Sequence, residues 1–86
     1  PPPAPSSVTA TKTTNTSITI KWSAVANIDG YRIYRKKDNE DFLLLIDNIN
    51  SATLTYVNNS LTPGLYSYQV QSFLGDLTQD KDTLLP

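Results

Sequence analysis

Apolar and polar residues take turns along most of this chain, and no stretch shows the three- and four-residue apolar spacing of an amphipathic helix. Ser17-Ile18-Thr19-Ile20-Lys21-Trp22 is the cleanest case, with Ile18, Ile20 and Trp22 on one side and Thr19 and Lys21 on the other. Period two marks a strand with one buried face, because successive side chains leave opposite faces of the pleat. The pattern recurs in Gly30-Tyr31-Arg32-Ile33-Tyr34-Arg35-Lys36, where Tyr31 and Ile33 share the inner face and Arg32, Tyr34 and Lys36 point outward. Tyr66, Tyr68, Val70 and Ser72 form a third such row, with Ser67, Gln69 and Gln71 on the reverse side. Shorter strands are predicted at 8–11 (Val8 and Ala10 inward), 42–46, 54–56 and 77–84. Asp80 and Asp82 weaken the last of these.

Turns and loops at 12–15, 23–29, 37–41 and 47–51, with Thr62-Pro63-Gly64 and Leu74-Gly75-Asp76, separate the strands. Strands this short, divided by turns at roughly ten-residue spacing, predict an all-β fold: a seven-stranded antiparallel Greek-key sandwich. Its expected core gathers Trp22, Tyr31, Ile33, Tyr56, Leu61, Tyr66, Tyr68 and Val70, together with Val8, Ile18, Ile20 and Leu54. Tyr66 stands just after a tight turn, where a ring can be buried while its hydroxyl returns to the backbone a few residues upstream. The hydroxyl of Tyr68 is expected to matter less.

These residues, taken together, resemble a fibronectin type III domain, within the immunoglobulin-like class of sandwiches. Pro5 precedes the first strand, Trp22 ends the second, and Gly30-Tyr31-Arg32-Ile33-Tyr34 begins the third. Leu54-Thr55-Tyr56 forms the fifth, and Leu61-Thr62-Pro63-Gly64 with Tyr66, Tyr68 and Val70 forms the sixth. The wording is closest to bacterial members of the family. One departure stands out: only Leu65 separates Gly64 from Tyr66, where the family has two residues, which shifts the expected corner bond.

The 86 residues are read as a proline-rich linker at 1–7 followed by one domain at 8–86. Prolines at the density of Pro1-Pro2-Pro3-Ala4-Pro5 favour an extended, semi-rigid spacer. There is no Cys and no His, which removes thiol chemistry, the commonest general base and the commonest transition-metal ligands. A formal charge of −1 lacks the basic stripe that nucleic acid requires, and no apolar run approaches the roughly 20 residues of a membrane span. Carboxylate pairs at Glu40 with Asp41 and Asp80 with Asp82 sit on a turn and a weak strand, with no cleft for a substrate. The consecutive oxygen ligands Asp38, Asn39, Glu40 and Asp41 converge poorly on a calcium ion. Neither an enzyme nor a cofactor or metal site is expected. No Arg-Gly-Asp tripeptide occurs, so integrin adhesion is not carried over from the family, while Asn15-Thr16-Ser17 and Asn58-Asn59-Ser60 match the N-glycosylation pattern.

Two surfaces qualify as binding sites. Tyr34 and Phe73, with Gln69 and Gln71 between them, would set rings beside amides, chemistry suited to sugars; cross-strand packing explains the same residues without a ligand. Phe42-Leu43-Leu44-Leu45-Ile46 is apolar on both faces, so a lone sandwich leaves Leu43 and Leu45 in water as an interdomain edge. The resemblance implies a non-catalytic spacer in a secreted or surface-attached multidomain bacterial protein, such as a polysaccharide-degrading enzyme. An odd number of alternating strands would place the termini at opposite poles. The alternative is a binding module in adhesion, for glycan at the Tyr34 face or for protein at the 42–46 edge. Neighbouring domains of the same chain are the expected partners, then polysaccharide or protein; nucleic acid and membrane insertion are not, and the isolated domain is expected to be a monomer.

Overall fold

The computed structural model describes residues 2–75. Within them the chain forms β1 (Thr9–Thr14), β2 (Ser17–Lys21), β3 (Gly30–Lys37), β4 (Leu43–Asn50), β5 (Thr55–Asn58) and β6 (Tyr66–Phe73). They make two antiparallel sheets, ordered β1-β2-β5 and β4-β3-β6. The predicted seventh strand, and with it the opposite-pole placement of the termini, falls outside the described residues.

The alternation of β2 and β3 sets what lies between the sheets. Ile20 and Trp22 from one side meet Tyr31, Ile33, Ile49 and Val70 from the other, all buried. Tyr56 and Tyr68 pack against this cluster half-buried, as do Ile18, Leu45 and Ile46. Leu61 and Tyr66 are half-buried beside it. The ring of Tyr31 meets Trp22 edge-on at 5.4 Å between centroids, and its hydroxyl accepts a hydrogen bond from the Val25 amide at 3.0 Å. A tyrosine with no exposed surface is thereby satisfied. Trp22 is not: its buried Nε1–H has no partner among the described residues.

Two strands and the leader depart from their expected form. β1 runs on to Thr14 and is exposed along its whole length. Ala10 and Lys12 pair with Ile20 and Ile18 and so take the inner side, yet the opposite sheet does not cover them. Val8 is also exposed. An inward-pointing lysine on an edge strand hinders pairing with a foreign strand. β4 continues through Asp47, where a turn is expected, because Asn48 takes a left-handed conformation (φ 58°) and the strand passes through irregularly. Ile49 is carried into the core by that continuation. The proline leader is held to the body. Pro5 is buried, Ser23 donates its amide to the Ser6 carbonyl, and Ser72 donates its hydroxyl to the Pro3 carbonyl.

The shortened connection before β6 is closed by the turn after β3. Tyr66 donates its hydroxyl to the Thr62 carbonyl, four residues back, at 2.6 Å. Asp38, itself left-handed (φ 53°), donates its amide to the Leu65 carbonyl at 2.7 Å and accepts from the Leu65 amide through its carboxylate at 2.9 Å. Lys37 reaches the Thr62 hydroxyl. The Tyr68 hydroxyl does not end in water: it donates to Oδ1 of buried Asn58 at 2.9 Å, an oxygen that also accepts from Arg35 at 3.2 Å. Asn58 begins the second glycosylation pattern, and its buried, hydrogen-bonded side chain is closed to that modification.

Two expectations follow for stability. Trp22→Ala removes a buried aromatic and should cost about 3–5 kcal/mol, read as a fall in the urea midpoint; an unchanged midpoint would place Trp22 outside the core. Tyr68→Phe should cost more than Tyr66→Phe, roughly 1–3 against 0.5–1.5 kcal/mol, because the first leaves a buried acceptor short of a donor and the second an exposed one. Burial, partly offset by the nearby Arg35 charge, raises the Tyr68 phenol above its ordinary value of 10.0. The folded state then prefers the neutral phenol. Its contribution is complete below pH 10 and is lost as pH rises through the higher folded value. The melting temperature of the native chain should therefore fall more steeply above pH 10 than that of Tyr68→Phe.

Candidate functional site

The outward side of the β4-β3-β6 sheet carries the first of the two predicted surfaces. Pairing of Gly30 with Phe73, Arg32 with Gln71 and Tyr34 with Gln69 puts Tyr34, Gln69, Gln71 and Phe73 on one face, as the alternation requires. Their environments differ. Phe73 is only 7% exposed: its ring lies over Gly30, where an added Cβ would come within 2.9 Å of the ring's Cζ. Above it the Arg32 guanidinium sits 4.4 Å from the ring centroid, a cation–π contact that also removes the ring from solvent.

Arg32 itself points outward and is nevertheless buried, at 4% exposure. Its Nε donates to Asp47 Oδ1 at 3.0 Å and its Nη1 to Gln71 Oε1 at 3.4 Å. A buried guanidinium without a carboxylate would be strongly unfavourable, and the irregular passage of β4 at Asn48 keeps Asp47 on the face where Arg32 needs it. Tyr34 donates its hydroxyl to the same Gln71 oxygen at 3.3 Å and is half-buried. Gln69 alone of the four is exposed. Beside them a shallow groove of about 450 Å³ runs along β6, lined by Ala4, Pro5, Val8, Tyr34, Gln69 and Gln71 among others. The expected pair of free rings is thus one ring. Phe73 is withdrawn because Gly30 leaves the space it fills.

The second surface, the β4 edge, is also redistributed. Register shifts on either side of Ile33 pair it with Ile46 and pair Tyr34 with Leu44, so Leu45 is the extra residue of a bulge. Strict alternation breaks there. Leu43 and Leu44 are exposed at 69% and 51%, whereas Leu45 turns toward the core. Around the two exposed leucines, Arg35, Lys37, Glu40 and Asp41 line a small cleft of about 150 Å³. Asp38, whose loop was weighed for calcium and set aside, accepts the Leu65 amide with its carboxylate. Among the described residues no three His, Cys, Asp or Glu side chains gather as a metal site.

What the sequence did not bring forward is the pairing of Arg32 with Asp47, fifteen positions apart. A charge at an outward position reads as solvated, and only the small residue at Gly30 signals that something covers this face.

The geometry is that of a sandwich module with closed faces and no reactive centre among the described residues. The fibronectin type III domain model matches residues 3–81, and the chain belongs to that family. A relative at 38% identity over 69 residues is a poly(3-hydroxybutyrate) depolymerase from Ralstonia pickettii. The match takes in 78% of this chain and 12% of the relative, so the chain spans about an eighth of that enzyme's length.

Gly30→Ala should cost about 1–3 kcal/mol by overpacking, since the new methyl meets Phe73 and the Ile49 carbonyl. Denaturant melts check this. A neutral result would mean that Phe73 does not rest on Gly30.

Proposed function

We propose that this domain is a non-catalytic linker module of a secreted, multidomain, polymer-degrading bacterial enzyme. The observation that carries the reading is the relative: a depolymerase in which a segment like this one makes up 12% of the length. An enzyme working outside the cell on a polymer needs other parts for its chemistry, and a chain with no His and no Cys is poorly equipped to supply them. The polymer in the relative's name consists of hydroxybutyrate units joined as esters. A polyester is therefore the polymer class with the most direct support, ahead of a polysaccharide. Neighbouring domains of the same chain are its partners in this reading, and Leu43 and Leu44 are the residues from which such a neighbour would exclude water.

A binding role for the Tyr34 face rests on the groove beside Tyr34, Gln69 and Gln71. With Phe73 covered and Gln71 accepting from both Arg32 and Tyr34, that face offers one partly free ring and the exposed amide of Gln69. Sugar stacking has little to hold.

Two measurements test the linker reading. The 86-residue chain should be monomeric in sedimentation and inactive on soluble ester or glycan oligomers. Exchanging the domain for a Gly/Ser linker of equal reach in an enzyme that carries it should leave turnover of soluble oligomers within about twofold, as expected where no interaction with the reacting substrate is lost. Hydrolysis by the isolated chain, or loss of soluble turnover in the exchange, would refute it. Retention on an insoluble glucan that disappears in Tyr34→Ala would favour the binding module instead.

A further inference from the structure

The outward face of the other sheet has a different chemistry. Register aligns Thr9, Lys21 and Thr55 in one row across β1, β2 and β5, and Thr11, Thr19 and Val57 in the next. All are exposed except Thr19, which is half-buried. The rows are about 6.6–6.8 Å apart along the strands, with neighbours about 4.8 Å apart across them. Two further features distinguish this face. Among the described residues no Asp or Glu lies on β1, β2 or β5, which carry only the cations Lys12 and Lys21. No aromatic side chain belongs to either row; the aromatic residue of β5, Tyr56, pairs with Ile20 on the inner side. A shallow depression of about 440 Å³ is formed there by β1 and β2.

We propose that this face adsorbs the polyester itself, as a polymer-contacting surface built into the linker; the inference rests on the polymer-degrading reading above. The argument is one of complementarity. An aliphatic polyester presents carbonyl and ester oxygens, which only accept hydrogen bonds, together with methyl and methylene groups; it has no donor and no charge. A matching surface must offer donors and methyl groups and must lack carboxylates, because an acceptor pressed against acceptors loses its water without replacement. Threonine supplies a hydroxyl donor and a methyl from one short side chain. Lys21 adds an ammonium donor at the centre of its row, and Val57 adds apolar surface. A flat grid of such groups can meet an insoluble surface at several points at once, so that weak contacts sum through multivalency. A polysaccharide, rich in donors and flat sugar faces, would call for exposed rings, and neither row carries one.

The test mixes the 86-residue chain with amorphous poly(3-hydroxybutyrate) granules, microcrystalline cellulose and polystyrene beads, and measures depletion from the supernatant. Retention on the polyester above that on cellulose is expected. The triple variant Thr9→Val, Thr11→Val, Thr55→Val keeps shape and strand preference but removes three donors. Its partition onto polyester should fall about tenfold or more, as the loss of several neutral hydrogen bonds implies, while partition onto polystyrene holds or rises. Tyr34→Ala should leave polyester retention unchanged, and thermal melts of both variants confirm that they are folded. No polyester retention by the native chain, equal retention on cellulose, or undiminished retention of the triple variant would each overturn the proposal. Should the triple variant fail to fold, Lys21→Glu takes its place, placing a carboxylate on the face with the same expected loss. Failure here leaves the linker reading standing, since that reading is decided by soluble turnover in the exchanged enzyme.

Discussion

β3 is paired along both edges, with β4 on one side and β6 on the other, and that confinement governs the second sheet. A strand held this way cannot roll. Each residue is committed to one face, and a slip by one position would exchange Ile33 for Arg32 in the core. With Tyr31 and Ile33 fully buried inside, Arg32 has to lie outside. Its neighbours then follow. It lies over the Phe73 ring, Gly30 yields the space that Phe73 occupies, and Asp47 arrives because β4 turns irregularly at Asn48. The charge of one residue thus dictates the size, shape or conformation of three others.

Much of the architecture was legible in the alternation of side chains. The all-β class and the inward positions Ile20, Trp22, Tyr31, Ile33 and Val70 follow from period two, and the return of the Tyr66 hydroxyl to the backbone from its place after a tight turn in a sandwich. Irregular backbone was less legible. The bulge at Leu45 and the left-handed Asn48 depend on how β4 fits its neighbour; Asn tolerates that conformation, but its propensity does not fix where along the strand it falls. Side-chain destinations at strand ends were hidden for a related reason. Phe73, Tyr68 and Arg32 find partners on other strands, so their exposure is a property of the assembled sheet, not of the residue. Of the residues that alternation nominated for the two candidate surfaces, Phe73 is covered and Leu45 turns inward.

The two outward faces divide polar chemistry between them. The β4-β3-β6 face holds the buried ion pair and a web of amide and phenol groups that largely satisfy one another. The β1-β2-β5 face is simple: short hydroxyl side chains, a lysine and a valine, without a carboxylate. Internal satisfaction makes the first face stiff and chemically quiet. On the second face Thr13 and Thr19 pair their hydroxyls, while Thr9, Thr11 and Thr55 are exposed.

The attachment of the leader has a mechanical meaning. Its two anchors, from the Pro3 carbonyl to Ser72 and from the Ser6 carbonyl to Ser23, reach different sheets, one before the other along the chain. A pull applied at the N-terminus meets them in succession, and each opens without help from the other. Beyond them the load passes into β1, whose register with β2 runs from Thr9 to Thr14 and is stressed lengthwise, with its rungs sharing the strain. Tension at the N-terminus would thus load the contacts of the leader, buried Pro5 among them, before it reaches the register of the sandwich.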